Sequence, residues 1–427
     1  MSNFSNNPSN TLGNKRGLWS WALYDWANSA FATTVIAGFF PIFFKQYWSA
    51  DVAATESTLQ LGIGSAVASL VVLVLAPVLG AIADRSGGKK AFLFFFTAMG
   101  ITATAALFWV GQGQWLAAIT LFVIASIGFF GGLTFYDGLI VDVSAPAKFD
   151  SASSLGYALG YLGGGVLLAV NVAMTLKPEF FGLADKGAAV RWSFLSVAVW
   201  WGLFSIPLFL RVREREPTVR NNWLASARSG LRELAGTIRD IRARRAVLLF
   251  LIAYWLYIDG VNTIIRMAVD FGLSLGFADT SLITALLLVQ FIGFPAAIAF
   301  GYLGEKWDTK KAIYLGLAVY LGVTVWGYFL QHVWQFYVMA AIIGLVQGGV
   351  QSLSRSYFAR LIPENKSGEF FGFYNMMGKF AAMVGPLLVG ITAALTGSAR
   401  LSILSVIILF IVGGAVLWFV REEEASA

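Results

Sequence analysis

The sequence predicts an all-α polytopic membrane protein in which twelve transmembrane helices form two pseudo-symmetric six-helix halves. Three observations lead there. Hydrophobic residues fill 58% of 427 positions and charged residues only 12%, where a soluble domain carries about a quarter charged residues. Charge interrupts the apolar runs every 20–30 residues, close to the roughly 20 residues a helix needs to cross the hydrocarbon core. A charged loop also recurs half a chain later, as "GAIADRSGGKK" at Gly80–Lys90 and "GYLGEKWDTKK" at Gly301–Lys311.

The runs are continuous, which favours helices over a barrel, whose strands alternate apolar and polar residues. In order, the spans are expected at 19–45, 59–83, 91–110, 115–137, 152–175, 191–210, 247–270, 281–304, 312–331, 334–358, 370–395 and 401–420. A polar tail (1–17) precedes the first half (18–210), a basic linker (211–245) leads to the second half (246–420), and 421–427 form a short tail. The first sixteen residues contain no apolar signal-peptide core, so the first run is expected to remain as a span. Fifteen Trp and 45 Gly suit interfacial anchoring and close helix packing.

Charge sets the orientation. Lys15, Arg16, Arg85, Lys89, Lys90, the linker, Lys306, Lys310 and Lys311 fall on one side, whereas the opposite loops carry Asp51, Glu56, Glu179, Asp270 and Asp279. The basic side is expected to be cytoplasmic, with both termini inside, in a bacterial inner membrane. The net charge of +7 does not indicate nucleic acid, because ten arginines against four acids lie within 211–245 alone. In that linker Trp223, Ala227, Leu231, Leu234, Ile238 and Ile241 recur at helical spacing, as expected of an amphipathic helix on the inner membrane face. With no Cys and one His, His332 in a predicted loop, neither a disulfide nor a histidine or thiolate metal site is expected, and no cofactor. No G-x-x-x-x-G-K-[ST] loop is present, which argues against an ATP-driven pump.

The halves repeat each other. Both charged loops open on Gly, place an acid–base pair next (Asp84-Arg85, Glu305-Lys306) and end on Lys-Lys. Gly131-Gly132 and Pro146 are answered by Gly348-Gly349 and Pro363 at the same fifteen-residue interval. Asp25-x-x-Asn28 in span one returns as Asp259-x-x-Asn262 in span seven. A parallel repeat of six spans is the plan of many transporters, with substrate bound at mid-membrane between the halves.

Charge inside a bilayer costs at least ~2.5 kcal/mol per residue at a helix centre, so its placement is informative. The embedded charges are Asp25, Asp259, Arg266, Arg355 and Lys379, with Asp137 near the inner end of span four and Asp142 just beyond it. Asp25 and Asn28 share a helix face, as do Asp259 and Asn262. Asp259 and Arg266 stand roughly 10 Å apart along a helix, too far for an easy ion pair but suited to bracketing a zwitterion. Arg355 and Lys379 are alternative anion partners. Pairing of these charges with one another, simply to hold the bundle, is the competing reading. Asp25, Asp137 and Asp259 are the candidates to carry a proton, since no histidine lies in a span. Gly156, Gly160 and Gly164 share one face of span five and permit close helix approach. Gly385-Pro386 marks a bend in span eleven, and Tyr157, Tyr254 and Tyr374 are among the aromatics available to shape a pocket.

The G-x-x-x-D-R-x-G-x-K-K loop resembles the signature between spans two and three of the major facilitator superfamily. "LYDWANSAF", "GYALGYLGGG", "LYIDGVNTII" and "LSRSYFARLIPENKSGEFFGFYNMMGKFAAMVGP" resemble its vacuole-effluxer-like branch, over about residues 18 to 420. The resemblance implies that spans one, four, seven and ten line a central cavity while three, six, nine and twelve face lipid. The embedded charges make the same partition. It also implies that Asp84, with Gly80, Arg85 and Lys89, braces neighbouring helix ends in one conformation and releases them in the other. Gly301, Glu305 and Lys306 would do the same in the second half, where Trp307-Asp308-Thr309 replaces the Gly-containing turn and predicts a differently shaped gate. Eukaryotic relatives in this branch are associated with amino-acid efflux from the vacuole. The expected function is secondary active or facilitative transport of a small polar solute, amino acids first, by alternating access with proton coupling as an option. Peptides, sugars and organic anions are the alternative solutes, and a non-transporting receptor is a further class. The chain is expected to act as a monomer, not as an enzyme, with the solute, protons and the bilayer as its partners.

Overall fold

The structure is a computed structural model that describes residues 15–86, 88–215, 236, 238–380 and 384–422. Among these, every regular element is helical. The first half comprises α1 (Lys15–Trp48), α2 (Ala54–Ser86), α3 (Lys89–Ala106), α4 (Trp115–Gly138), α5 (Phe149–Leu176) and α6 (Lys186–Arg211). The second comprises α7 (Arg245–Ser274), α8 (Asp279–Lys306), α9 (Thr309–Tyr328), α10 (Val333–Leu361), α11 (Ser367–Phe380), α12 (Val384–Thr396) and α13 (Arg400–Trp418), with α11 and α12 sharing the eleventh span. Among the described residues, eleven helical spans are long and apolar enough to cross a bilayer. The remaining expected span, the ninth, is α9 with 20 residues, about 30 Å of helix, and it is less apolar because Lys310 and Lys311 occupy its first turn.

α1 is a single rod with an irregular middle. It passes into π-helix over Phe31–Phe39 and again over Phe44–Trp48. Pro41, which has no N–H to donate, sits in the α-helical turn between them. The glycine stripe of α5 explains why α1 and α5 lie so close. A Cβ on Gly156 would stand 2.6 Å from the Asp25 carboxylate, and one on Gly160 would stand 2.6 Å from Ser29 Oγ. The stripe thus serves contact within the first half. The other side of α5 packs on α8 and α10 of the second half, while α2 and α4 pack on α11.

Hydrogen bonds between the halves cluster at the end of the bundle that carries the basic loops. The fifteen-residue repeat is visible there as matching corners: a 3-10 turn at Pro146–Lys148 leads into α5, and one at Glu364–Lys366 leads into α11. The start of the linker folds back on the first half, where Lys90 donates its backbone N–H to Glu214 (2.8 Å) and its Nζ to the Val212 carbonyl (2.6 Å). Trp223, Ala227, Leu231 and Leu234 of the expected amphipathic helix lie outside the described residues. Of its remaining positions, Ile241 is buried and Ile238 exposed.

Candidate functional site

Arg355 projects from α10 into a cage built by the first half. Its Nε donates to Ser153 Oγ (2.8 Å) and its Nη2 to the Ser153 carbonyl (2.9 Å). Nη1 donates to Asp137 (3.0 Å) and to Asp25 (3.5 Å). The guanidinium lies 4.5 Å from the Tyr157 ring centre and 5.0 Å from that of Trp21, so its faces meet π-electrons while its edge meets oxygens. Tyr136 hydroxyl donates to Asp25 (2.8 Å), and Asn375 of α11 donates to the second oxygen of Asp137 (3.0 Å). Trp21, itself donating to the Tyr136 carbonyl at 2.9 Å, stacks on the Tyr136 ring and holds that tyrosine in place. Arg355 is 2% exposed, Asp25 8% and Asp137 6%. Two buried carboxylates therefore share one guanidinium, and one negative charge has no formal counterpart in the cage.

The other expected residues are not gathered here. Lys379 stands one turn beyond Asn375, with Nζ 2.7 Å from the centre of the Phe130 ring of α4, so it faces the first half across the central interface. Asp259 accepts the Gly385 N–H (2.9 Å) and lies 3.4 Å from Thr263 Oγ1, at the first turn of α12. Asp259 is thus the side chain that receives a backbone donor in the first turn of α12. Asn262 is half-buried one turn on, and the Arg266 side chain lies outside the described residues. Asn28 is buried beside Tyr24. Tyr136, Ser153 and Asn375 are site residues that sequence reasoning missed. Asn375 carries no local signal beyond being an amide in an apolar run.

The two charged loops form matching locks at the basic end. Asp84 accepts the Gly368 N–H (3.0 Å) and the Glu369 N–H (2.8 Å), placing its charge on the N-terminus of α11. The helices come that close because position 80 is glycine: a Cβ there would stand 2.2 Å from the Gly368 carbonyl oxygen. Lys89 pairs with Asp142 (2.7 Å), in the turn Ile140–Val143 beyond α4, and donates to Ser367 (3.0 Å), joining α3, that turn and α11, and Arg85 is half-buried beside Asp84. In the second lock Glu305 pairs with Lys148 (2.9 Å) ahead of α5, and a Cβ on Gly301 would stand 2.6 Å from Ser154. Lys306 is exposed over the Tyr302 ring and takes no part in the lock. The differently shaped second turn has a use of its own. Thr309 donates to Asp150 (2.7 Å), which also accepts from Arg360 (3.1 Å) and Ser356, making buried Asp150 a node between the halves.

A two-halved helical bundle with paired loop locks and a buried charge cage between its halves defines a transporter of the major facilitator type. The crystal structure of the human organic anion transporter MFSD10 (TETRAN) is similar with TM-score 0.71 at 15% identity, covering 94% of this chain and 99% of that one, which is a likeness of fold. The chain belongs to the family described as Vacuole effluxer Atg22 like, which matches residues 61–141 and 141–427. The MFS-type transporter YxiO of Bacillus subtilis is 39% identical over 414 residues, 95% of each chain. Autophagy-related protein 22 of Yarrowia lipolytica is 26% identical over 288 residues, 61% of this chain and 48% of that protein. This chain thus matches about half the length of the fungal relative.

Proposed function

We propose that this transporter moves a small zwitterionic solute of amino-acid size by rocking its two halves, with Asp25 and Asp137 as the cation or proton site. The observation that carries this reading is the charge count around Arg355. Two buried carboxylates and one guanidinium leave room for one further positive charge, which a solute ammonium or a proton supplies. Lys379 lies on the same face of α11 as Asn375, the Asp137 partner, and provides the cation for a solute carboxylate. In this reading the solute places its ammonium toward Asp137 and its carboxylate toward Lys379. The bracket expected from Asp259 and Arg266 is replaced in this reading, since Asp259 is engaged with the Gly385 N–H.

Alternating access follows from which contacts cross the halves. Closure of the basic end uses the Asp84 and Glu305 locks, the Asp150 node and the Arg355 cage, and all of them must part when that end opens. Filling the cage with a cation changes its electrostatic balance and so biases the equilibrium. The basic end is assigned to the cytoplasm, both termini with it, in a bacterial inner membrane, and the monomer is the working unit. The family's description as vacuole effluxer like supports export as the direction of transport.

The test is counterflow in liposomes loaded with amino acids, dipeptides, sugars or organic anions. Amino acids are expected to exchange, with Asp137→Asn and Lys379→Gln each lowering the rate about tenfold or more, the effect of about 1.4 kcal/mol of lost interaction. Exchange confined to sugars, or undiminished in both variants, would overturn the zwitterion reading.

A further inference from the structure

At the basic end, between the first residue of α7 and the last turn of α13, lies a cavity of about 290 Å³ lined by Arg245, Trp418, Phe419 and Arg421. Both arginines are exposed, and among the described residues neither has an acidic partner. The neighbouring acid, Glu422, is drawn to Arg360 at 3.5 Å. A third cation fixes one wall: Lys310 Nζ donates to the Trp418 and Val420 carbonyls, each at 2.8 Å, and so ties down the end of α13.

The cavity has a second chemical character. Trp418 is 72% exposed and Phe419 62%, and the exposed side of the same helix continues with Ile411 and Ile408, each 56% exposed. Two guanidiniums without an acidic partner among the described residues, above an aromatic ledge and an apolar strip, are complementary to an amphiphile with an anionic head. Guanidinium forks match phosphate oxygens, aromatic side chains favour headgroup depth, and basic pockets between helices at the inner surface suit anionic lipid heads.

We propose that this cavity binds the phosphate of an anionic phospholipid between Arg245 and Arg421, with the acyl chains along the exposed face of α13. A soluble phosphate ester offers the same anion but leaves Trp418, Phe419 and the isoleucines uncovered, which is why the lipid is the assigned occupant.

Native mass spectrometry of the full chain in detergent, titrated with dioleoylphosphatidylglycerol or dioleoylphosphatidylcholine, tests this. One phosphatidylglycerol is expected to be retained in preference to phosphatidylcholine. Its apparent affinity is expected to fall roughly thirtyfold in Arg245→Gln/Arg421→Gln, from two basic side chains each contributing about fivefold. Arg239→Gln/Arg242→Gln, which removes equal charge outside the cavity, should keep the lipid. Equal loss in both double variants would assign the binding to general basic charge and overturn the site. Equal retention by wild type and the cavity variant would overturn it too. Glycerol phosphate at millimolar concentration should not displace the lipid; displacement would show that the anion alone is recognised and would overturn the lipid assignment. Arg421→Lys, which keeps the charge but not the fork, covers the case in which the double variant fails to fold: it is expected to lose part of the wild-type preference for phosphatidylglycerol, and an undiminished preference would overturn the fork at Arg421.

Discussion

Arg355→Lys separates the work of the guanidinium fork from that of its charge. Lysine keeps a cation among Asp25 and Asp137, so the cage escapes the roughly 3–5 kcal/mol that follows when a buried charge loses its partner. It cannot keep the two bonds from Nε and Nη2 to Ser153, at 2.8 and 2.9 Å, or the stack on Tyr157 at 4.5 Å. Two hydrogen bonds at about 1 kcal/mol each, with about 0.5–1 kcal/mol for the cation over its ring, sum to about 2–3 kcal/mol. All of these contacts run from α10 to the first half, so the loss falls on the conformation closed at the basic end. The closed-to-open ratio is expected to drop roughly 30- to 140-fold. The chain contains no cysteine, so spin labels at Ala147→Cys and Lys311→Cys, both exposed at the basic end, report the separation of the halves without background. Pulsed dipolar spectroscopy should show one short distance with Arg355 and a second, longer population with lysine. An unchanged distance distribution in a folded Arg355→Lys protein would refute the cage as a clasp between halves and leave it as packing.

Three further outcomes are expected. Gly80→Ala should open the basic end and suppress transport in a protein that still folds, because its new methyl would stand 2.2 Å from the Gly368 carbonyl and force α2 from α11; the same label pair checks it. Asp84→Asn keeps one acceptor oxygen where the Gly368 and Glu369 N–H groups use two, and it removes the charge at the α11 N-terminus, worth about 0.3–2 kcal/mol; its open population should rise above the parent's by the same label pair. Outside the spans, burial holds the Glu214 carboxyl above its ordinary range against the pull of the Lys90 N–H and the Lys89 charge. A carboxyl raised on folding contributes stability below its unfolded value and loses it as pH rises through the folded one. Glu214→Gln should therefore melt higher than the parent near pH 8 and show no difference near about pH 4, as thermal unfolding at the two pH values will show.

The spans were legible because a bilayer imposes one-dimensional requirements: enough apolar length and a satisfied backbone within each segment. α9 shows the margin of that rule, since two lysines in its first turn leave it less apolar than the rest while its length still suffices. The loop repeat was legible for a related reason. Gly80 and Gly301 both lie where helices from opposite halves touch, and glycine is what such a contact requires. The site was legible only as a set of costly charges. Asp25, Asp137 and Arg355 stood out because they are expensive in lipid, but nothing local joins residues 330 positions apart. Asp150 and Ser153 passed unnoticed because neither looks unusual near the end of a span.

The sharpest divergence concerns the motif shared by α1 and α7. Asp25-x-x-Asn28 and Asp259-x-x-Asn262 are equivalent in sequence, yet Asp25 faces the Arg355 cage while Asp259 receives the Gly385 N–H in the first turn of α12. By itself the sequence determined how many helices cross, which loops are basic, where backbones approach and which side chains are too costly to be idle. Each of those is set by residues within a span or a loop of one another. The tertiary structure alone decided which acid meets which cation, because a partner for a buried charge is supplied by whichever helix the fold brings beside it. Two copies of one motif thus acquire different partners once α10 lies beside one and α12 beside the other.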